Sequence, residues 1–340
     1  MRAVLNEEQE MLKGTAMRIA ASAAVTTPAD LARIDRDAAW SELAKAGLLG
    51  MRLRDDQGAP MTSGVELMLV AQSLGEALSP SPFIGVALAC ELLALAEAPA
   101  ECLADIAEGR VRYSLLLGAR LEGPADGLSG AFCLDAEGVA YGLAISGSQL
   151  MRVGLDPGAA RDGVDLTRRV GMLPAPGAAA EPVGRPMTPA DLQRWTALAL
   201  TLVCADIVGV LSAGLTRLVD YSKTRIQYGA PIGSFQAVQH MCAEMLVDTQ
   251  AAASLVNYAA WSIDALAPEE ALMAARTAKG YCGPVAQKVS ETLMQAYGGI
   301  GQVWDHEGHL RARRAMFDRK LFGDEHHQLL EIAAARMGRA

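Results

Sequence analysis

The sequence predicts a mostly α-helical protein that carries a small β domain in its middle. Apolar residues recur at helical spacing through residues 1–110 and again through 188–340, whereas residues 111–187 hold short apolar runs separated by glycine, aspartate and proline. We therefore expect three domains: an N-terminal helical domain over 1–110, a reduced β domain over 111–187 and a C-terminal helical bundle over 188–340.

The helices of the N-terminal domain are predicted from their boundaries. Asn6, followed by Glu7, Glu8 and Gln9, is typical of a capped helix start, and this helix should run to about Ala23. Further helices are predicted in the segments "AAWSELAKAGLLG", "SGVELMLVAQSLGEAL", "IGVALACELLALAEA" and "AECLADIAEG".

The β domain and the C-terminal bundle follow from two different spacings. Strands are predicted in "VRYSLLLGARL", "GAFCLDAEG", "VAYGLAIS" and "SQLMRVGL". After the helix that begins in "MTPADLQRWTALALTLV", apolar residues spaced by three and four between Phe235 and Ile263 predict a second long helix. A third is predicted in "PEEALMAARTAKGYCGPVAQKVSETLMQAYGG", and one more after Asp305.

Charge and apolar content exclude several classes of partner. The 340-residue chain has a formal net charge of -9, so we expect no nucleic-acid partner. The apolar segment 196–215 is interrupted by Asp206 and Gly209, which favours a buried bundle helix over a membrane span, and we expect no membrane partner. Six cysteines without Cys-x-x-Cys spacing favour reduced thiols in a cytoplasmic protein: Cys90, Cys102, Cys133, Cys204, Cys242 and Cys282.

Two features of the C-terminal third suit a phosphate-bearing ligand. Arg225 lies where Gly229 and Pro231 end a helix, and its planar guanidinium could bind a diphosphate through two hydrogen bonds. A solvated helix-end arginine is the alternative. Gly298 and Gly299 lack a Cβ and let the backbone approach a ligand, although such glycines also end helices.

Two longer segments carry a family resemblance. "YSKTRIQYGAPIGSFQAVQHMCAEM" (221–245) and "MQAYGGIGQVWDHEGHLRARRA" (294–315) resemble motifs of the acyl-CoA dehydrogenases, and the resemblance extends over nearly all the chain. It implies that family's fold, namely an N-terminal helical bundle, a β middle domain and a C-terminal four-helix bundle. It also implies α,β-dehydrogenation of an acyl-CoA thioester with FAD as cofactor and an electron-transfer flavoprotein as electron acceptor.

The resemblance assigns roles to six residues. It implies that these residues hold the adenosine diphosphate half of FAD, and that they hold it for the neighbouring subunit: Arg225, Tyr228, Gln236, Gln295, Gly298 and Gly299.

The sequence departs from the family where the family binds the isoalloxazine ring and places its catalytic base. The segment "YSLLLGARLEGPADGLSG" lacks the family's flavin motif, and the insert is shorter and contains no tryptophan. Phe322 and Ala199 occupy the two positions where family members carry the catalytic glutamate, so we expect no catalytic residue in this chain. These departures resemble the short subunits of heteromeric (α2β2) acyl-CoA dehydrogenases of bacterial sterol side-chain degradation, which makes a steroid side-chain CoA ester the expected substrate.

The segment "KLFGDEHHQLLEIA" (320–333) leaves three interpretations open. Asp324 or Glu325 could act as a displaced base, or both could cap and solvate a helix. A metal site is disfavoured because the adjacent His326 and His327 point in different directions on a helix. The segment "HEGH" at 306–309 is likewise one residue short of the His-Glu-x-x-His spacing, so we expect no metal.

Three functional hypotheses follow. The chain could complete the FAD site of a longer acyl-CoA dehydrogenase subunit, act as a self-sufficient homo-oligomer that uses Glu325 or Asp324, or serve as a flavin-free scaffold. We favour the first, because a scaffold has no need for Arg225, Gln236 and Gln295 at their family positions.

Overall fold

The N-terminal part of the protein is helical, as predicted. The structure, a computed structural model, describes residues 4–126, 131–156, 158, 160–172 and 179–338. Six helices come first: α1 (Glu7–Ser22), α2 (Pro28–Leu31), α3 (Arg36–Lys45), α4 (Gly64–Glu76), α5 (Phe83–Leu95) and α6 (Ala100–Ala107). The predicted start of α1 is confirmed, because the Asn6 side chain accepts a hydrogen bond from the Gln9 backbone and the Gln9 side chain accepts one from the Asn6 backbone.

Among the residues that the structure describes, seven strands form one mixed sheet in the middle of the chain. They are β1 (Tyr113–Leu117), β2 (Phe132–Cys133), β3 (Tyr141–Ser146), β4 (Gln149–Gly154), β5 (Arg161–Asp162), β6 (Arg169–Met172) and β7 (Ala180–Pro182). Their order is β5-β6-β2-β1-β3-β4-β7, and β1 pairs with β3 in parallel while the other pairs are antiparallel.

The four predicted apolar runs contain β1 to β4, whereas β5 to β7 were not predicted. These three strands are two to four residues long, and both residues of β5 are exposed. Strands of this kind carry no apolar alternation and form only because a neighbouring strand offers hydrogen bonds. The first residue of "GAFCLDAEG" and parts of the predicted β domain, 127–130 and 173–178, lie outside the described residues.

Long helices dominate the C-terminal part. They are α7 (Pro189–Thr224), α8 (Gln236–Ala265), α9 (Pro268–Tyr297), α10 (Glu307–Lys320) and α11 (Glu325–Arg336), and the hairpin strands β8 (Ile226–Gln227) and β9 (Ala230–Pro231) join α7 to α8. The prediction of a single helix after Asp305 is wrong, since two helices follow. Phe322 (φ 60°) and Gly323 (φ 85°) adopt left-handed backbone conformations that an α-helix cannot contain. The predicted fold class, mostly helical with a small β domain, is confirmed.

Helix α7 is the central element of the core. It contains a window apolar enough to cross a membrane, and 89% of that window is buried inside the protein. A Cβ added to Gly75 of α4 would lie 2.6 Å from the Asp206 carbonyl of α7, so the two helices approach closely through a glycine. The segment is therefore a buried core helix, as its interruption by a charged residue indicated.

A buried ion network ties the sheet to the helices. Arg168, which precedes β6, donates to Asp206 of α7 at 3.0 Å and also to Asp318 of α10. Arg314 of α10 contacts both oxygens of Asp206 at 2.7 Å. Burial opposes ionisation of Asp206, but Arg314 and Arg168 outweigh it and hold its pKa below the usual range, whereas burial raises the pKa of Asp318. The sequence contained one hint of this network, a charged residue inside an apolar helix.

All six cysteines are unpaired, as predicted. Five thiols are buried, and Cys242 is half-buried.

Candidate functional site

The first group of predicted nucleotide-binding residues lies in the hairpin between α7 and α8. Helix α7 ends at Thr224, and the Arg225 amide donates to the Tyr221 carbonyl at 2.8 Å while the Arg225 carbonyl accepts from Ile232 at 2.9 Å. These bonds fix the backbone of Arg225 and leave its side chain exposed. Tyr228 occupies the hairpin tip with φ 53° and is 90% exposed.

The beginning of α8 suits an anion. Gln236 is its first residue and is exposed, and the first turn contains no acidic residue. Within the residues that the structure describes, no side chain caps this end of α8. The first amide groups of a helix carry a partial positive charge and attract phosphate when no side chain satisfies them.

The second group lines a groove of about 620 Å³ at the C-terminal end of α9, bordered by α10. Gln295, Gly298 and Gly299 all border it, together with Glu291 of α9 and Met316 of α10. Gly298 ends α9 with φ 65°, so the helix-end interpretation is correct for this glycine. A Cβ added to Gly298 or Gly299 would meet nothing within 4 Å, so this backbone also faces open space that a ligand could occupy.

Aromatic contacts place the two groups at the same end of the bundle. The rings of Tyr221 and Tyr297 lie 5.2 Å apart, and the rings of Tyr297 and His306 lie 4.7 Å apart. Tyr221 precedes Arg225 by one helical turn, and Tyr297 directly precedes Gly298. No sequence pattern indicates this cluster of three rings, because residues so far apart in the chain give no periodic signal.

The resemblance assigns the catalytic base to the positions of Ala199 and Phe322, and both residues lie in the interior. Ala199 is fully buried, and Phe322 is 2% exposed and packs edge-on against Trp195 with ring centroids 5.9 Å apart. The amide of Gly323 donates to the Leu121 carbonyl at 3.2 Å, so the loop that follows β1 bonds directly to the turn before α11. Ala199 and Phe322 both belong to the hydrophobic core, and neither carries a carboxylate.

Asp324 and Glu325 are engaged in the structure of the α11 terminus. Asp324 caps α11 through the His327 amide, and its hydrogen bond to Lys320 lowers its pKa to about 2. Arg319 donates to Glu325 at 2.9 Å and lowers the pKa of this carboxyl. Two acids whose pKa values are lowered by their partners are poorly suited to accept a proton near neutral pH.

The histidines have separate partners. His306 Nδ1 accepts from the Gly308 amide at 3.0 Å, and His309 stacks on Trp304 with ring centroids 5.3 Å apart. His327 Nδ1 lies 3.8 Å from Glu122, and His326 is exposed. Across the described ranges, no group of three or more histidine, cysteine, aspartate or glutamate residues could hold a metal ion.

Fold and site together define a helical-bundle protein whose predicted nucleotide-binding residues lie at one end of the bundle. The chain belongs to the acyl-CoA dehydrogenase family: the family models for the N-terminal and the C-terminal domain of acyl-CoA dehydrogenase match residues 6–109 and 198–337. It is 27% identical to acyl-CoA dehydrogenase IpdE2 of Mycolicibacterium smegmatis, over 97% of this chain and 99% of the relative.

Solved structures agree with this assignment. A variant of the Tcur3481-Tcur3483 steroid acyl-CoA dehydrogenase superposes with a TM-score of 0.82 at 25% identity, covering 98% of this chain and 99% of the other. A chain of the ChsE4-ChsE5 complex from Mycobacterium tuberculosis has the same fold, with a TM-score of 0.81, 22% identity and full coverage of both chains, 100% each.

The residues present fit one half of FAD, the family's cofactor. The open backbone at Gly298 and Gly299, the exposed guanidinium of Arg225 and the uncapped start of α8 can hold a diphosphate and an adenosine.

Proposed function

We propose that this chain is the short subunit of a heteromeric, FAD-dependent acyl-CoA dehydrogenase. In this arrangement it supplies the adenosine diphosphate half of the FAD site to a longer, homologous subunit. The longer subunit contributes the isoalloxazine pocket, the catalytic base and the groove for the acyl-CoA. FAD, when bound, would supply the hydride acceptor. Its diphosphate and adenosine would be held by Arg225, Tyr228, Gln236, Gln295, Gly298 and Gly299 of this chain.

One observation carries the proposal: the residues assigned to the nucleotide are exposed, whereas the two positions assigned to a catalytic base are buried. Arg225, Tyr228, Gln236 and Gln295 all face solvent. Exposure is costly for Tyr228, because an aromatic side chain gains free energy by leaving water and a left-handed backbone is strained for a residue other than glycine. A partner that covers the hairpin would recover this free energy.

The two buried positions support the absence of a base in this chain. General-base catalysis requires a carboxylate within hydrogen-bond reach of the substrate's α carbon proton. Phe322 and Ala199 supply none, and the ion pairs of Asp324 and Glu325 disfavour the self-sufficient enzyme that would use either as a displaced base.

Substrate and setting are inferred from relatives. The Tcur3481-Tcur3483 structure is a steroid acyl-CoA dehydrogenase, which supports a steroid side-chain CoA ester as the substrate of the complex. We infer an electron-transfer flavoprotein as electron acceptor. Six unpaired cysteines support a reducing compartment such as the cytoplasm.

The stoichiometry of FAD tests this proposal. The chain purified alone should contain little or no flavin, whereas co-expression with a longer acyl-CoA dehydrogenase encoded beside it should give about one FAD for each pair of chains, as expected for a site shared between two subunits. The measurement is the flavin absorbance per protein after gel filtration. One FAD per chain in the isolated protein would contradict the proposal, and so would a flavin-free complex.

A further inference from the structure

Three aromatic rings connect the ends of three helices beside the predicted nucleotide-binding residues. Tyr221 belongs to the last turn of α7, Tyr297 is the last residue of α9, and His306 precedes the first residue of α10. The Tyr221 and Tyr297 rings are tilted by 54° at 5.2 Å, and Tyr297 and His306 meet edge to face at 4.7 Å. Both separations are within the favourable range for aromatic pairs.

The polar atoms of His306 hold the segment between α9 and α10. Its Nδ1 accepts the Gly308 amide at 3.0 Å and thereby caps α10, and its own amide donates to the Val303 carbonyl at 3.1 Å. The segment is packed tightly, because a Cβ added to Gly301 would lie 2.9 Å from Tyr297 Cβ. Accepting from Gly308 requires that Nδ1 carry no proton.

The charged groups around His306 come from α7 and α10. Burial lowers the pKa of His306, Glu307 opposes this change, and His309 adds to it. The charge of Glu307 is balanced in turn by two arginines, because Arg217 of α7 lies 3.2 Å from one of its oxygens and Arg311 lies 2.8 Å from the other. The neighbour from α9 is Tyr297, whose pKa burial raises to about 12, so it is uncharged near neutral pH.

We propose that Tyr297 and His306 are positioning residues for the FAD half-site of this chain. The contacts among the Tyr221, Tyr297 and His306 rings hold the Gly298–Gly299 backbone at a fixed distance from Arg225. The neutral His306 fixes the other end of the segment between α9 and α10, because it caps α10. This inference rests on the proposed function, since it concerns how firmly this chain holds the adenosine diphosphate of FAD.

The proposal has a consequence for pH. A proton on Nδ1 removes the acceptor of the Gly308 amide and places a charge in a half-buried site, so the turn should loosen as His306 is protonated. Because the folded form disfavours the proton, the stabilising effect of neutral His306 is complete above the ordinary histidine pKa of about 6.5 and is lost as the pH falls below it.

The test is the rate of FAD release from the complex with the longer subunit, followed by flavin fluorescence between about pH 5.5 and pH 8, where histidine titrates. The parent complex should release FAD faster as the pH falls below about 6.5. His306→Asn retains a side chain that caps helices well but does not titrate in this range, so it should abolish the pH dependence. A pH dependence in His306→Asn equal to that of the parent would overturn the role of His306.

Two matched pairs separate the cap from the rings. His306→Ala lacks the cap acceptor that His306→Asn keeps, and should release FAD about threefold to thirtyfold faster than His306→Asn at every pH, as expected for a lost cap. Tyr297→Phe keeps the ring and should behave like the parent, whereas Tyr297→Leu should release FAD about threefold or more faster, as expected for a lost aromatic pair. Equal rates within either pair would overturn the positioning role of that residue.

A control distinguishes failure of this inference from failure of the proposed function. Gln295→Ala removes a predicted ligand contact and leaves the rings of Tyr221, Tyr297 and His306 unchanged. Faster FAD release from Gln295→Ala, combined with unchanged release from the His306 and Tyr297 variants, would overturn only the positioning role. Unchanged release from Gln295→Ala and from Arg225→Ala alike would overturn the lending of the FAD site itself.

Discussion

Two aromatic residues with left-handed backbones, Tyr228 and Phe322, show how differently this chain treats its two predicted sites. Tyr228 has φ 53° and is 90% exposed, whereas Phe322 has φ 60° and is 2% exposed. Burial against Trp195 offsets the strain of Phe322 inside the chain. Tyr228 meets the Phe235 ring edge-on at 6.4 Å but stays exposed, so burial within the chain does not offset its backbone strain.

A buried and an exposed arginine show the same contrast. Arg168 is buried and shares its guanidinium among carboxylates of α7 and α10. Arg225 is exposed at the end of α7. A guanidinium that is already paired stabilises the fold, and one that faces solvent remains available for an anionic ligand. The buried turn at Phe322 is therefore structural in this chain, and the exposed hairpin with Arg225 and Tyr228 is the candidate for binding.

The largest expected effect is on the free energy of unfolding, and it occurs at the buried Phe322. Phe322→Ala should lower the free energy of unfolding by about 3–5 kcal/mol, because it removes a large buried ring and leaves a cavity beside Trp195. Tyr228→Ala should change it by no more than about 0.5 kcal/mol, as for other exposed positions. Urea unfolding of the isolated chain measures both. Similar losses for the two variants would remove the contrast between the regions.

The second-largest expected effect is on FAD binding at the exposed hairpin that contains Arg225. Arg225→Ala should weaken FAD retention in the complex by roughly ten to a hundredfold, because a charge-assisted hydrogen bond contributes about 1.5–3 kcal/mol. Lys223→Ala is the matched control, since Lys223 lies at the same helix end and pairs with Asp220. Flavin content after gel filtration measures both variants. Equal retention in the parent and in Arg225→Ala would make Arg225 an ordinary surface residue.

The smallest expected effect concerns Asp324 and Glu325. Asp324→Asn and Glu325→Gln keep the side-chain shape, and turnover of the complex should stay within a few fold, whereas loss of a general base costs about 10² to 10⁴ fold. Steady-state kinetics of the complex decides this. A loss of that size, with flavin content and assembly unchanged, would make this chain catalytic in its own right.

Asp324 also makes the stability of the folded chain depend on pH in acid. Its pKa in the folded chain is about 2, below the ordinary aspartate value, so its stabilising effect is complete above about pH 4 and is lost as the pH falls toward 2. Asp324→Asn should remove that part of the acid dependence of unfolding.

The sequence by itself determined the elements whose signals are local. Four features depend on residues within a few positions of one another: the Asn6 cap, the buried character of α7, the four apolar strands and the end of α7 just before Arg225. Hydrogen-bond capping and helical or alternating periodicity act over that same distance, which is why these predictions were correct. Motifs with the spacing of a known family likewise identified the family.

Only the tertiary structure decided what lies against what. It broke the last predicted helix at Phe322, added the short strands β5 to β7, and joined the Leu121 loop to the Gly323 turn. It also brought the rings of Tyr221, Tyr297 and His306 into contact. Each of these features depends on packing or hydrogen bonding between segments far apart in the chain. Such contacts leave no periodic pattern in the sequence, because the residues that form them are not neighbours in the chain.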